Sequence, residues 1–312
     1  MKLAMVFPGQ GSQSVGMLQA YAGLPGVDEV RHSAGEALGG DFVKLLDQGP
    51  GEALNLTANT QPAMVTAGYA AYCAWRALGG PKPEVVAGHS LGEYTALVAA
   101  EALTFRDCLP LVRYRAQSMQ EAVPEGQGAM AAILNLGDEQ VRAACEEAAQ
   151  GEVVQAVNFN APGQVVIAGH KAAVARAMEA CKARGAKRAL PLPVSAPFHS
   201  SLMRPAAEKL RSYLKGVAVA EPKIDLVNNV DVAVRRQPAE IKDALVRQAA
   251  SPVRWVETIR KVRAMGVTHV VECGPGKVLA GMSKRIDGEL QVHALADKAS
   301  LEQALAALKG AA

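Results

Sequence analysis

Residues 84–95 read EVVAGHSLGEYT, in which Ser90 stands between Gly88 and Gly92, after a short apolar run and before an alanine-rich helical pattern. A serine at such a strand–turn–helix junction is typical of a nucleophile elbow, because small flanking residues permit a sharp turn that exposes the hydroxyl at a helix N-terminus. The pattern favours a catalytic serine, with a purely structural turn as the alternative. His89 is expected to pack rather than to act as a base, since adjacent side chains diverge at this kind of turn.

A nucleophilic serine needs a base, and His199 is the best placed of the six histidines. It lies in VSAPFHSSLM, a proline-containing loop that leads into a helix expected to begin near Ser200. A helix N-terminus disfavours the imidazolium ion, so the ring is expected to stay neutral and ready to accept a proton. A loop histidine with a purely structural role is the alternative.

The carboxylate that usually orients such a histidine is missing from its expected place. In α/β-hydrolases an acid follows the serine and precedes the histidine in the chain. Asp107 and Asp138 lie in that interval, but each is expected to open a helix as a capping residue. Either another group orients the histidine, or the chain is not a standard hydrolase.

Two arginines on the predicted helix 104–123 face different surroundings. At about 100° per residue, Arg115 shares an arc with apolar residues that include Met119, whereas Arg113 lies on the polar side and is expected to be solvated. A charge on an apolar face is costly unless it is paired, so Arg115 needs an anion. That anion is either a carboxylate of the protein itself or a substrate carboxylate held by the guanidinium fork, and the sequence leaves both open.

Two glycine-rich stretches, VFPGQGSQSVG and CGPGKVL, do not fit the nucleotide-binding fingerprints. The first lacks the third glycine of the dinucleotide motif, and the second lacks both the offset glycine and the hydroxyl residue of a P-loop. Gln10, on the loop after the first predicted strand, is instead placed to donate a hydrogen bond to an oxyanion. The N–H of Leu91, just after the serine, is the second candidate donor.

The composition is that of a globular protein with a sizeable core. Half of the 312 residues are hydrophobic, and the net charge is only +3, which argues against a nucleic-acid partner. Five scattered cysteines without a CxxC pair predict reduced thiols, with neither a disulfide framework nor a metal site. No uncharged apolar stretch approaches the ~18–20 residues of a membrane span. We therefore expect a cytoplasmic protein without a membrane segment, and nothing in the sequence demands more than a monomer.

Strand-like runs alternate with helical patterns over most of the chain, which predicts a parallel sheet with helices on both faces. Strands are expected at 3–7, 84–87, 225–230 and 268–274, and helices at 59–78, 92–102, 104–123 and 252–265. Residues 127–194 differ, because their patterns follow the order βαββαβ of a ferredoxin-like fold. We predict an α/β-hydrolase-like large domain of residues 1–126 and 195–312, with the small subdomain 127–194 inserted and a substrate cleft between them.

Seven motifs, taken in chain order, resemble the malonyl-CoA:acyl-carrier-protein transacylases of type II fatty acid synthesis. They are FPGQGSQ (7–13), NTQPA (59–63), GHSLGEYTAL (88–97), RAQSMQEAVPEGQGAM (115–130), APFHSSLM (196–203), RQAASPVRW (247–255) and ECGPGKVL (272–279). The resemblance covers almost the whole chain, including the ferredoxin-like insert. Seven ordered motifs are far more specific than a single GxSxG.

The resemblance implies a role for each candidate residue. Ser90 matches the acylated nucleophile, His199 its base, and Arg115 the arginine that binds the malonyl carboxylate. The family's oxyanion hole corresponds to Gln10 and the Leu91 N–H.

Three further positions follow from the same resemblance, and a fourth, Met119, comes from the helical arc that it shares with Arg115. Gln248 matches the residue whose backbone carbonyl orients the histidine, which would explain the missing acid. Phe198 resembles the malonyl-selective form of the histidine loop, and Asn160 matches a cleft-lining position of the insert. Met119, on the arc of Arg115, is assigned to the substrate site as well.

The implied reaction moves the malonyl group from malonyl-CoA to the phosphopantetheine thiol of acyl carrier protein through a malonyl-serine, in a ping-pong cycle. It needs no metal or redox cofactor. Carrier proteins are acidic, so a basic patch near the cleft is expected, although ordinary solvated side chains are the alternative at each position. The candidates are Lys182, Arg184, Lys187, Arg188, Lys277, Lys284 and Arg285.

Two other functions stand against the transferase. A serine hydrolase or thioesterase would release the acyl group to water, but Arg115 and the absent acid argue against it. A non-enzymatic scaffold that binds carrier protein is disfavoured because the nucleophile, the base and the arginine are all intact.

Overall fold

The computed structural model of the chain describes residues 1–194 and 196–309. Within these ranges the strands are β1 (Leu3–Phe7), β2 (Val85–Gly88), β3 (Gly128–Leu134), β4 (Val154–Ala161), β5 (Gln164–His170), β6 (Arg188–Pro191), β7 (Asp225–Val227), β8 (His269–Cys273) and β9 (Gln291–Leu295). The α-helices are α1 (Val27–Leu38), α2 (Gly40–Gln48), α3 (Gly51–Leu54), α4 (Thr57–Ala77), α5 (Gly92–Ala99), α6 (Phe105–Glu121), α7 (Asp138–Ala149), α8 (Lys171–Ala183), α9 (Arg204–Leu214), α10 (Pro238–Ala249), α11 (Trp255–Ala264), α12 (Val278–Ile286) and α13 (Lys298–Lys309). None of these helices is long and apolar enough to cross a membrane.

The large domain is built on a parallel sheet with the strand order β7-β2-β1-β8-β9. β1 pairs with β2 so that Phe7 lies opposite Gly88, at the carboxyl ends of both strands. The loops that leave these two strands therefore start side by side, which is where open α/β sheets bind their ligands. This pairing brings Gln10 and Ser90 to the wall of one cavity.

β1, with the sequence LAMVF, is buried along its whole length. Leu3, Met5 and Phe7 face one hydrophobic cluster, whereas Ala4 and Val6 face a second one on the other side of the sheet. This alternation follows from the two-residue period of a strand. An uninterrupted apolar run is what a parallel strand needs when helices cover both faces, and the predicted α/β layering is confirmed.

Residues 128–191 form a second, antiparallel sheet with the strand order β4-β5-β3-β6. Because α7 and α8 share a core with one face of this sheet, the arrangement is the ferredoxin-like fold predicted from the sequence. The opposite face contributes Met130, Val157 and Val166 to a cluster with Met119 and Phe198 of the large domain. The small sheet therefore packs directly over the region that carries the candidate site residues.

Three strands differ from the prediction. The sequence patterns do not predict β9, a half-buried edge strand that pairs in parallel with β8. β7 ends at Val227 instead of 230, because Asn228 accepts from the Asp231 N–H within its own turn and the Asn229 side chain donates to the Gly88 carbonyl at the end of β2. β6 is shorter than the run 186–194. The predicted domain boundary at 195 and the last three residues of the chain lie outside the described residues.

Candidate active site

Ser90 lies on a tight turn between β2 and α5. The two positions that flank this turn, 88 and 92, have room only for glycine. A Cβ added at Gly88 would lie 1.9 Å from the carbonyl carbon of Gly92, and one added at Gly92 would lie 2.0 Å from the carbonyl oxygen of Phe7. Ser90 itself has a φ of 51°, in the left-handed region that other non-glycine residues seldom adopt. The structure therefore has the strained turn of a nucleophile elbow, with the serine at the start of α5.

His199 lies within hydrogen-bond distance of this serine, since Ser90 Oγ is 2.6 Å from His199 Nε2. On the other side of the ring, Nδ1 donates to the backbone carbonyl of Gln248 at 2.9 Å. This bond places the ring proton on Nδ1, so Nε2 carries the lone pair that can accept the serine proton. A backbone carbonyl thus occupies the place where a hydrolase has its acid.

The neutral state of His199 has a different cause from the one inferred from sequence. Burial first, and then the positive charge of Arg115, lower the pKa of His199 to about 3. A helix N-terminus does not explain it, because a short 3-10 turn, Ser201–Met203, separates the ring from α9. His199 has a φ of 64°, so the candidate nucleophile and base both have left-handed backbone.

Arg115 projects from the buried face of α6 toward Ser90 and is only 1% exposed. Its Nη2 donates to Ser90 Oγ at 3.1 Å and to Gln248 Oε1 at 3.0 Å, and its Nη1 donates to Gln61 Oε1 at 2.9 Å. Burial lowers the pKa of this guanidinium, which also lies over the ring of Tyr94.

The protein does not neutralise Arg115 with a direct ion pair. Among the described residues, no carboxylate lies within 4 Å of its nitrogens, and its Nε is buried without a hydrogen-bond partner. Of the two anions left open by the sequence, the internal one is therefore not in direct contact with Arg115, and the buried carboxyl of Glu93 is linked to it only through Gln248. Arg113 is half-buried with its guanidinium over Phe42, which corrects the expectation that it is simply solvated.

Gln248 connects more groups than its predicted carbonyl contact. Its side-chain Nε2 donates to the carbonyl oxygen of Ser90 and to Glu93 Oε2, both at 2.9 Å. Its Oε1 accepts from Arg115, and its backbone oxygen accepts from His199. One residue near the end of α10 thus contacts the nucleophile, the base and the arginine.

Asn229, which the sequence analysis did not single out, holds the other side of the turn. Its Oδ1 accepts from the Ser90 N–H at 2.7 Å, and its Nδ2 donates to the Gly88 carbonyl at 2.7 Å. Its own N–H donates to Glu93 Oε2 at 3.0 Å. Burial raises the pKa of Glu93 to about 7.

A cavity of about 130 Å³ opens in front of Ser90. Its walls include six further residues predicted for the site from the sequence, namely Gln10, Leu91, Arg115, Met119, Phe198 and His199. The Gln10 side chain is turned toward Thr57, to which its Nε2 donates at 3.4 Å. Arg115 and Gln61 form the polar end of the chamber, while Met119 and Phe198 line it with apolar surface.

Asn160 does not line this cavity. It accepts a hydrogen bond from His89 Nε2 at 2.8 Å, and the ring of His89 packs against Trp255. The residue of β4 that does line the chamber is Asn158, whose Oδ1 is buried without a partner. Two register shifts in β4 separate the surroundings of the two asparagines, and no sequence pattern marks them.

A second, larger cavity of about 500 Å³ shares His199 as a lining residue with the first one. Residues of α7 and β4 line it, together with Ala250 and Pro252. Ser201 and Arg204, just after the histidine loop, complete the polar lining. His199 therefore borders both the cavity in front of Ser90, the inner chamber, and this second cavity, the outer groove.

Several of the predicted basic patch residues are engaged locally. Lys182 pairs with Glu179, Arg184 with Glu147, and Lys284 donates to backbone carbonyls after α12. Arg285 donates to the side chain of Gln164 and to a carbonyl of the β4–β5 turn. A basic docking patch stays a prediction.

Comparison with known proteins agrees with this geometry. The model of the acyl transferase domain family matches residues 4–298. The malonyl CoA-acyl carrier protein transacylase of Escherichia coli (strain K12) is 54% identical over 305 residues, which are 97% of this chain and 99% of that protein.

Two solved structures superpose closely. The acyl-carrier-protein S-malonyltransferase from Burkholderia pseudomallei 1710b has a TM-score of 0.96 and 65% identity, over 98% of this chain and 100% of that one. A malonyl-transacylase in complex with its type II PKS acyl-carrier protein has a TM-score of 0.96 and 50% identity, with the same coverage. With this similarity along its whole length, the chain belongs to the malonyl-CoA:acyl-carrier-protein transacylase family of acyl transferases.

Proposed function

We propose that this enzyme moves the malonyl group of malonyl-CoA to the phosphopantetheine thiol of acyl carrier protein through a malonyl ester on Ser90. In the first half-reaction, Ser90 Oγ gives its proton to His199 Nε2 and attacks the thioester carbon. Gln10 and the Leu91 N–H stabilise the tetrahedral oxyanion. The carbon–sulfur bond then breaks, and the CoA sulfur takes the proton from His199.

The observation that carries the proposal is the buried Arg115 beside Ser90 Oγ, whose hydrogen bonds in the described residues all go to neutral acceptors. A guanidinium in this setting is stabilised when a carboxylate enters the chamber, because bonds between two charged partners are the strongest available. Malonyl has that carboxylate at the end remote from its thioester, and acetyl has none. The position of Arg115 therefore selects malonyl.

Binding of the carboxylate also improves the base. The charge of Arg115 is one cause of the low pKa of His199, so a bound malonyl carboxylate that offsets this charge raises the pKa toward the operating pH. General-base catalysis is most efficient when the pKa of the base is close to the operating pH. A malonyl donor thus activates the histidine that an acetyl donor leaves weakly basic.

In the second half-reaction the carrier-protein thiol gives its proton to His199 and attacks the malonyl ester, and Ser90 Oγ leaves with that proton. The outer groove beside His199 suits the extended pantetheine arm, since His199 also borders the inner chamber. Side chains and backbone amides supply this chemistry, so we expect no metal or redox cofactor. We assign the enzyme to cytoplasmic fatty acid biosynthesis.

The test is the intact mass of the enzyme after mixing with malonyl-CoA or acetyl-CoA, followed by addition of holo carrier protein. We expect one malonyl adduct on the wild type, none on Ser90→Ala, and transfer of the group to the carrier. An adduct that is lost to water while the carrier stays unmodified supports a thioesterase instead. Absence of any adduct refutes the assigned nucleophile or donor.

A further inference from the structure

The backbone around Ser90 is held by two side chains from elsewhere in the fold. The strained turn presents three polar backbone groups: Asn229 binds the Gly88 carbonyl and the Ser90 N–H, and Gln248 binds the Ser90 carbonyl. A left-handed serine persists only when surrounding contacts over-determine it. These three hydrogen bonds therefore restrain the turn from outside α5, in addition to the Glu93 N–H, which also donates to the Ser90 carbonyl at 3.1 Å.

Both restraining residues converge on one atom, Glu93 Oε2. It accepts from Gln248 Nε2 at 2.9 Å and from the Asn229 N–H at 3.0 Å. Glu93 is only 2% exposed and is not among the residues that line the inner chamber or the outer groove. It therefore has no route to the substrate and acts only through its neighbours.

Through Gln248, the same oxygen is also linked to His199 and to Arg115. The backbone of Gln248 orients His199, and its side-chain oxygen accepts from Arg115. Gln248 therefore contacts three groups of the site: the serine carbonyl, the imidazole and the guanidinium. A buried glutamate is costly unless its bonds are satisfied, and here those bonds join the elements that must stay in register.

We propose that Glu93 is a positioning residue for the acyl transfer, which holds Ser90 and His199 in reacting geometry through Asn229 and Gln248. The proposal rests on the function proposed above. The proposed role requires a side chain at position 93 that is long enough to accept hydrogen bonds from Gln248 and Asn229. Glutamine preserves such an acceptor, methionine removes it at similar length, and aspartate keeps the charge but is one methylene too short.

The experiment compares Glu93→Met with Glu93→Gln in two single-turnover assays followed by intact mass. One measures acylation of Ser90 by malonyl-CoA, and the other measures labelling of Ser90 by a neutral fluorophosphonate, which needs no malonyl recognition. We expect Glu93→Met to slow both reactions roughly 100-fold, the scale of a misplacement of about 1 Å. Glu93→Gln should stay within a few-fold of the wild type in both.

Glu272→Met is the matched control. Glu272 is equally buried, and its Oε2 accepts from the Ala280 N–H at 2.7 Å at the start of α12, outside both cavities. We expect this variant to lose stability in urea while it labels at the wild-type rate.

Several results would overturn the proposal: a folded Glu93→Met protein that reacts at the wild-type rate, equal losses in Glu93→Met and Glu93→Gln, or an equal loss in Glu272→Met. If Glu93→Met does not fold, Glu93→Asp decides, because an Asp variant as fast as Glu93→Gln refutes the need for reach. A wild type that reacts with the fluorophosphonate but not with malonyl-CoA refutes the proposed function alone.

Discussion

Replacement of Arg115 by methionine tests the carboxylate clamp directly. Methionine fills a similar length without a charge, so the chamber keeps its volume while the guanidinium is lost. In the free enzyme this group donates to Gln61, Gln248 and Ser90, all of them neutral acceptors. A malonyl carboxylate would replace two of these bonds to neutral acceptors with bonds between two charged groups.

The size of the effect follows from those bonds. Two charge-assisted hydrogen bonds contribute ~3–6 kcal/mol, and the neutral glutamine contacts that they displace offset about 2 kcal/mol. A net loss of about 3 kcal/mol corresponds to roughly a 100-fold loss of kcat/KM for malonyl-CoA. Acetyl-CoA loses no such bond, and removal of the nearby charge makes His199 more basic. The preference for malonyl over acetyl should therefore fall by at least that factor.

The assay is the rate of Ser90 acylation by each thioester, measured by quenched mixing and intact mass. Arg113→Met, two residues earlier on α6 and half-buried over Phe42, is the control for loss of an arginine from the same helix. We expect it to keep the wild-type preference. If the ratio of the Ser90 acylation rates with malonyl-CoA and acetyl-CoA is unchanged in Arg115→Met, the carboxylate clamp is refuted.

Three further predictions concern the base, the turn and a buried acid. Because the neutral form of His199 is the base and its pKa is about 3, labelling of Ser90 by a neutral fluorophosphonate should keep its rate from about pH 8 to about pH 5. An acid limb near 6.5, the ordinary histidine value, would contradict this. Gly88→Ala should abolish acylation and lower the yield of folded protein, because its Cβ would lie 1.9 Å from Gly92, whereas Gly281→Ala, in open space, should be harmless in both measurements. Burial raises the pKa of Glu272 to about 7, so its stabilising contribution is full below about 4.5 and is lost as the pH rises through 7. The free energy of unfolding in urea should therefore differ less between pH 5 and pH 8 for Glu272→Gln than for the wild type, by up to about 3 kcal/mol. An identical difference in the two proteins would refute the role of Glu272 in this pH dependence.

The sequence predicted the parts of the site that depend on local pattern. The strand–turn–helix context located Ser90, and helical periodicity alone separated the buried Arg115 from Arg113. Both inferences use repeats of a few residues, which the chain displays directly. The prediction for Arg113 missed its partial burial, because its guanidinium lies over the ring of Phe42, on a helix far away in the sequence.

The restraints behind the site could not be predicted in this way. Asn229 and the side chain of Gln248 reach Ser90 across more than 130 residues of sequence, and their role depends on how β7 and α10 end. Glu93 was visible in GHSLGE, but a glutamate in the first turn of a helix is ordinary, because the helix dipole favours it there. Only its burial marks it as unusual.

The shift from Asn160 to Asn158 has a similar origin. In a regular strand these two residues point to the same face, so the strand pattern alone does not show which of them borders the chamber. The register shifts in β4 break that equivalence, and they arise from pairing with β5. Long-range packing thus decides which amide borders the chamber.

The left-handed backbone at both Ser90 and His199 sets the demands of activity against those of stability. Each such residue costs on the order of 1 kcal/mol that glycine would avoid. Replacement of the nucleophile by glycine would therefore remove the chemistry and relieve the fold at the same time. In a lineage no longer under selection for the reaction, we expect glycine substitutions at these two positions to increase stability while they abolish activity.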